Sequence, residues 1–206
     1  MRNNTVETFL AQLADRVPAP GGGASAALHA AQAAALVAMV ARYSNSAKFA
    51  AHTEEITAIT RSADRLRENA LGLAEEDARA FTAVTQAYGL PKGTPEEAAA
   101  RSRAIADALV NAARVPAIVI GVAEQIVGLT EQLLPIGNRN VISDIAAAAE
   151  AARAAATTAR VNVEINLGGI VAPATRRELR AIADGVDDVM VRADKVTAAV
   201  RDGLAR

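Results

Sequence analysis

Four carboxamides, two carboxylates and one glycine turn are the groups in this 206-residue chain whose spacing could do chemistry. Residues 135–144 read PIGNRNVISD. A Pro and a Gly stop one helix there, and Asn138, Asn140 and Asp144 follow on the loop and first turn of an Ala-rich helix. Asn140 and Asp144 are four apart, so a helix starting here points both the same way. Such side chains make good ligand contacts, and they also cap the free N–H groups of a helix start. The rest of the helix bears on that choice. Asn140, Asp144, Ala148, Ala151, Ala155, Thr158, Asn162 and Asn166 fall in a stripe roughly 80° wide, with Glu150, Arg153, Arg160 and Glu164 opposite. A stripe of Ala, Thr, Asn and one Asp is expected to face protein, where amides and a carboxylate need partners or a ligand. Asp144 and Asn162 stand about 27 Å apart along the helix axis, too far to hold one small ligand within one chain. Either they serve separate sites, or a second chain brings the opposite end alongside. The latter predicts a homodimer, for which a two-fold pair is the commonest arrangement.

Asp77 sits between Leu73 and Phe81, where an apolar helix seam calls for another apolar residue. A carboxylate there is partly buried, which raises its pKa and suits general acid–base work; a structural ion pair fits the same position. The Pro-Gly-Gly-Gly turn at 20–23 lets backbone approach a ligand closely. The helix after it offers free N–H groups at its positive end, suited to phosphate or carboxylate. No strand precedes it and the glycine spacing is wrong for a dinucleotide or P-loop fingerprint, and a tight interhelical turn is the alternative. Only three of the 22 basic residues are Lys: Lys48, Lys92 and Lys195. A chain this free with Arg keeps Lys where a compact ammonium matters, or does so by chance. His29, near Ser25 and Gln32 on an apolar helix, reads as a packed histidine, and His52 as a solvated one.

These groups need elements to hold them. Hydrophobic residues make up 51% of the chain and aromatics 2%. The core must therefore be Ala, Leu, Val and Ile at short distance, which favours closely packed helices over a β-sandwich. Helices are expected at about 5–16, up to about 43 after the glycine turn, and at 53–88. A fourth follows the Thr94-Pro95-Glu96-Glu97 start signal, with Pro116 as a kink; the fifth is the Ala-rich helix, and the last spans 173–204. Asn4 with Glu7 resembles a capping box for the first. The expected architecture is all-α, an antiparallel bundle of about six helices in a single domain spanning residues 1–206. A net charge of −1 without a basic run argues against nucleic acid. The absence of Cys removes thiolate chemistry, and two isolated His make a metal site improbable, so no metal and no cofactor are expected. Residues 24–41 are apolar but mostly Ala, so no membrane span is expected. MRNNTVETF is not a secretory leader, and a cytoplasmic protein is expected.

The elements TVETFL, PAPGGG, DARAF, AYGLPKG, RVP, GNRNVISD and NVEINL run in this order through nearly the whole chain. In that order and spacing the chain resembles the cyclodeaminase/cyclohydrolase family, the folate-handling half of formiminotransferase-cyclodeaminase. The resemblance implies an all-helical dimer and a tetrahydrofolate one-carbon derivative as substrate. By position it points to Gly21, Gly22, Gly23, Asp77, Lys92, Asn138, Asn140, Asp144, Asn162 and Asn166, with Lys48 in a more loosely basic segment. Ala24 departs from the family pattern, which has Ser there; His29 replaces a small residue and Arg42 an Asn. Those departures concern the pocket around the second helix.

The implied reactions share one centre. In cyclodeamination, N10 of formiminotetrahydrofolate attacks the amidine carbon and ammonia leaves, giving the 5,10-methenyl bridge. In cyclohydrolysis, water opens that bridge to 10-formyltetrahydrofolate. Each needs a carboxylate that moves a proton and donors that fix the pterin. The resemblance makes Asp144 the candidate acid/base, with Asp77 able to exchange roles with it. Lys92 becomes a proton donor or substrate-carboxylate contact, and the Asn residues become pterin or tail contacts. Cyclodeamination is expected first and cyclohydrolysis close behind, because a lone domain, as this chain is expected to be, must meet the formimino substrate from solution. A non-catalytic helical dimer that binds folate or a protein, with the polar stripe as its seam, is the alternative from another class.

Overall fold

The computed structural model describes residues 2–205. Seven α-helices follow in order: α1 (Val6–Ala14), α2 (Gly22–Arg42), α3 (Thr53–Tyr88), α4 (Pro95–Leu133), α5 (Ser143–Leu167), α6 (Pro173–Asp184) and α7 (Val186–Leu204). Short 3-10 turns at Ala47–His52 and Arg139–Val141 lead into α3 and α5, and no strand occurs among the described residues. The all-α expectation holds.

Alanine sets the architecture. The central helix α2 packs against α3, α4 and α5, and Ala24, Ala27, Ala30, Ala34 and Ala41 are fully buried along it. Side chains this small let helix axes approach closely, since interaxial distance follows the residues at the contact. None of the five aromatic residues belongs to the buried core. By length and composition α2 and α4 would each pass for a membrane-crossing helix. In the fold, α2 is instead enclosed by its neighbours.

Caps define most boundaries. Thr94 accepts from the Glu97 N–H while the Glu97 side chain returns to the Thr94 N–H, with Pro95 in the first turn, as the residues predict. At α1 the cap is Thr5, which accepts from the Thr8 N–H at 3.0 Å, and Asn4 instead bonds Gln12. The expected Asn4–Glu7 box therefore does not form, and the helix ends at Ala14. Helix α4 continues through Pro116, which is buried. The expected sixth helix divides at Gly185, where the Asp188 N–H reaches back only three residues, to the Gly185 carbonyl at 3.2 Å. Glycine is the weakest non-proline helix former, and the tightened turn forms there. The seam continues across it, with Leu179, Val186, Val189, Ala193, Val196 and Val200 buried.

Two seams behave differently from expectation. Along α3, Ile56, Ile59, Ala63, Leu66, Ala70 and Leu73 are buried, but Phe81 and Tyr88 are about half exposed. The far end of α3 and the start of α4 thus run past the bundle as a helical arm; residues 90–100 are exposed throughout. On α5, Ala148 and Ala155 are fully buried within the single chain, and the Asn162 end of the stripe meets Gly22 of α2. The buried middle of the Ala/Asn stripe is thus covered within one chain, on a helix that packs against both α2 and α4. The charged side of α5 lies beside α7: Thr197 donates to Glu150 at 2.8 Å, Arg153 pairs with Asp194 and Arg160 with Asp187.

Candidate active site

The bundle has two polar ends, joined by α2 and α5 running antiparallel. At one end lies the glycine turn. Gly21 caps α2 in an extended conformation, and its carbonyl accepts from the Ser25 N–H at 3.0 Å. A Cβ on Gly23 would collide with the carboxylate of Asp77, and one on Gly22 would stand 3.4 Å from Asn162 Nδ2. The glycines are thus what allows an α3 carboxylate and an α5 amide to close on the first turn of α2. Burial pushes the Asp77 carboxyl above the ordinary aspartate range, and the Ala24 N–H bonded to it opposes that shift only in part. The alternative of a structural ion pair is not realised: no salt bridge to Asp77 occurs among the described residues.

Two carboxamides extend this end. Asn162 Nδ2 donates to the Thr158 carbonyl at 2.9 Å, and Asn166 Nδ2 to the Asn162 carbonyl at 2.8 Å. This back-bonding to the preceding turn orients both amides and leaves Oδ1 as the acceptor each can offer a ligand.

The opposite end is built differently. The Asn138 N–H donates to Ser44 Oγ at 2.8 Å, its Nδ2 to the Tyr43 carbonyl at 2.9 Å, and its Oδ1 accepts from the Asn140 N–H at 3.1 Å. Ser44 is buried and itself donates to the Val40 carbonyl. Asn138 is therefore a clamp on the C-terminus of α2 and the cap of a 3-10 turn. It does not cap α5, whose N-cap residue, Ile142, makes no side-chain bond to the first turn. Asn140 is exposed and Asp144 half-buried in that first turn. Lys48 lies at this end too, in the 3-10 turn after α2, with its ammonium 5.7 Å from the centre of the Phe49 ring.

The structure therefore brings Gly21, Gly22, Gly23, Asp77, Asn162 and Asn166 to one end and Asn138, Asn140, Asp144 and Lys48 to the other. The separation is about 27 Å at 1.5 Å per residue. Lys92 joins neither group within one chain. The resemblance made it a proton donor or substrate-carboxylate contact, but α3 stays helical from Asp77 to Tyr88 and carries its loop about 16 Å beyond Asp77, where Lys92 is exposed. Sequence reasoning missed Tyr43 and Ser44 as the partners of Asn138, since nothing in a Tyr-Ser pair signals a clamp. His29, read as a packed histidine, has its Nδ1 buried without a hydrogen-bond partner, which its sequence setting did not signal. Among the described residues no three His, Asp or Glu side chains converge as a metal set.

An all-helical bundle that presses a desolvated carboxylate onto a glycine-opened helix start holds a group suited to acid–base work. The chain belongs to the formiminotransferase-cyclodeaminase family, whose pattern matches residues 5–185. It is 40% identical over 169 residues to a methenyltetrahydrofolate cyclohydrolase from Methylorubrum extorquens, covering 82% of this chain and 81% of that one. It is 32% identical over 166 residues to the mouse formimidoyltransferase-cyclodeaminase, covering 80% of this chain but 31% of the mouse protein. The crystal structure of a formiminotetrahydrofolate cyclodeaminase from Thermotoga maritima has the same fold. The TM-score is 0.87 at 28% identity, over 100% of this chain and 99% of that one.

Proposed function

We propose that this enzyme opens the N5–N10 methenyl bridge of tetrahydrofolate by hydrolysis, giving 10-formyltetrahydrofolate. The observation that carries the chemistry is Asp77, a carboxyl with a raised pKa held against the first turn of α2. Such a group exchanges protons closer to neutral pH than an ordinary aspartate and so serves as base and then acid. Water adds to the bridging carbon and gives one proton to Asp77. In the tetrahedral intermediate, the C–N5 bond then breaks, N5 takes up a proton from Asp77 and the hydroxyl proton is lost as the formyl C=O forms. Likeness to the M. extorquens cyclohydrolase, over four-fifths of both chains, supports hydrolysis as the first reading.

The second reading is cyclodeamination, favoured by the full-length likeness to the T. maritima cyclodeaminase. N10 attacks the formimino carbon, the N10 proton passes to the carboxylate, and the amino group leaves as ammonia after protonation. Both reactions pass through one tetrahedral carbon, so one pocket serves either. In a homodimer, a two-fold partner would place its Asn140–Asp144 end beside the Gly21–Asp77 end of the first chain. That arrangement supplies pterin contacts that one chain holds about 27 Å away.

The test offers the purified protein each substrate separately. Loss of the near-ultraviolet methenyl absorbance without ammonia release is the expected result. Rapid ammonia release with the methenyl absorbance accumulating would make it a cyclodeaminase instead. Inertness toward both would leave a folate-binding helical dimer.

A further inference from the structure

Helix α1 buries none of its own residues. It is held down at its start, where the Arg2 guanidinium bonds the Glu68 carboxylate and carbonyl at 3.1 and 3.2 Å and pairs with Glu75 at 3.7 Å. Beneath it lies a cavity of about 690 Å³, within the range of small-molecule sites. Phe9, Leu10 and Leu13 of α1, Leu28 of α2 and Leu71 of α3 form its apolar walls. The cavity starts beside the candidate active site: Ser25 and Ala74 line it, two residues after Gly23 and three before Asp77. From there it follows α2 as far as Ala35, a run of about 15 Å. His29 is in its wall, and the buried Nδ1 without a partner belongs to that residue. A buried polar atom left unpaired is costly unless a ligand satisfies it.

We propose that this cavity receives the p-aminobenzoyl ring of the folate, with His29 Nδ1 hydrogen-bonded to the benzoyl amide. The proposal rests on reading the protein as a folate enzyme. Two features favour this ring over the pterin. The pterin carries donors and acceptors around most of its edge; the cavity has polar residues, among them Ser25, Gln32 and Arg67, but its lining surface is mainly apolar and would leave many of those groups unpaired. The aminobenzoyl unit is apolar along its length and polar only at the amide. Spacing agrees: His29 lies four residues beyond Ser25, about 6 Å along α2, roughly one benzene ring's length. With the reacting carbon at Asp77, N10 stands at the entrance, the ring lies along Leu28 and Leu71, and the amide reaches His29. His29 is then a binding and positioning residue, apart from proton transfer.

The experiment measures binding of p-aminobenzoylglutamate and of 6-hydroxymethylpterin by calorimetry, and steady-state hydrolysis of methenyltetrahydrofolate, in the full chain. His29→Phe removes the hydrogen bond. Leu10→Trp fills the cavity from a residue 54% exposed on a helix that buries nothing, so the bundle still folds. Circular dichroism confirms that in each variant. The expected result is that the aminobenzoyl fragment binds the wild type, and that both variants weaken it and raise KM about tenfold with kcat nearly unchanged, the signature of lost uniform binding. Unchanged KM and fragment binding in both variants, beside an active wild type, would overturn the cavity assignment and leave the folate activity standing. So would binding of the pterin fragment that Leu10→Trp abolishes. A wild type that neither binds nor turns over any folate would overturn both readings, and no variant is needed to see it.

Discussion

Helix α2 ends in two polar clusters that look alike in sequence and differ in what their side chains have left to give. At its C-terminus Asn138 spends its N–H, Nδ2 and Oδ1 on Ser44, Tyr43 and Asn140. At its N-terminus Asp77 has the Ala24 N–H and a desolvated setting that holds its pKa up. Asn138 is finished as structure. The second cluster keeps a titratable group that its surroundings do not neutralise. Polar residues at a helix end mark chemistry when the fold leaves them strained in this sense, and architecture when it satisfies them.

That contrast breaks most readily at Gly23. Gly23→Ala puts a methyl group where the Asp77 carboxylate lies, so we expect turnover to fall by about two orders of magnitude, as for a displaced catalytic group. A kinetic assay beside a melting curve checks this; unchanged kcat would mean the carboxylate moves aside without consequence. At the other end, Asn138→Ala should act on stability. Loss of its bonds to the C-terminus of α2 should cost about 1–3 kcal/mol in denaturant unfolding, with kcat per folded molecule changed far less than in Gly23→Ala. Smaller is the effect of pH on folding. Because the folded pKa of Asp77 lies above the unfolded one, the folded state holds the proton more tightly. Asp77 therefore costs stability increasingly as pH rises from the ordinary aspartate range through the folded pKa. Asp77→Asn should remove that term, so its melting temperature should gain on the wild type as pH rises through this window and plateau above it. The smallest expected difference is between two lysines: Lys92→Met, in the family-matching AYGLPKG segment though outside either cluster of one chain, should raise KM or lower kcat, whereas Lys195→Met, on α7 outside any such segment, should do neither. Equal behaviour would remove Lys92 from the site.

How far each region could be read from residues depends on how local its cause is. The capping box at Thr94, the α3 seam from Ile56 to Leu73 and the seam of α7 rest on neighbours within a turn or two, and the fold follows them. The break at Gly185 turns on a choice between an i+3 and an i+4 bond, which composition does not decide. The seam position of Asp77 revealed a desolvated carboxylate through the buried Leu73 on one side; Phe81 on the other is half exposed, and the first turn of α2 at Gly23 supplies the remaining cover. Lys92 stands apart from Asp77 because three helical turns intervene, which a list of motif residues does not show. The partner of the α5 stripe, the Tyr43–Ser44 clamp and the cavity at His29 all depend on which helices meet, and a periodic pattern shows only that some helix must.

The central claim is that the glycine end, through Asp77, moves the proton. The most direct measurement compares single-turnover hydrolysis of methenyltetrahydrofolate by the wild type, Asp77→Asn and Asp144→Asn at saturating substrate. The account predicts that Asp77→Asn lowers the rate by about 100-fold or more, the usual size of a lost acid–base group. Asp144→Asn, a contact from the opposite cluster, should lower it by much less. A folded Asp77→Asn protein that keeps its rate while Asp144→Asn loses it would contradict the account and move the acid–base role to Asp144.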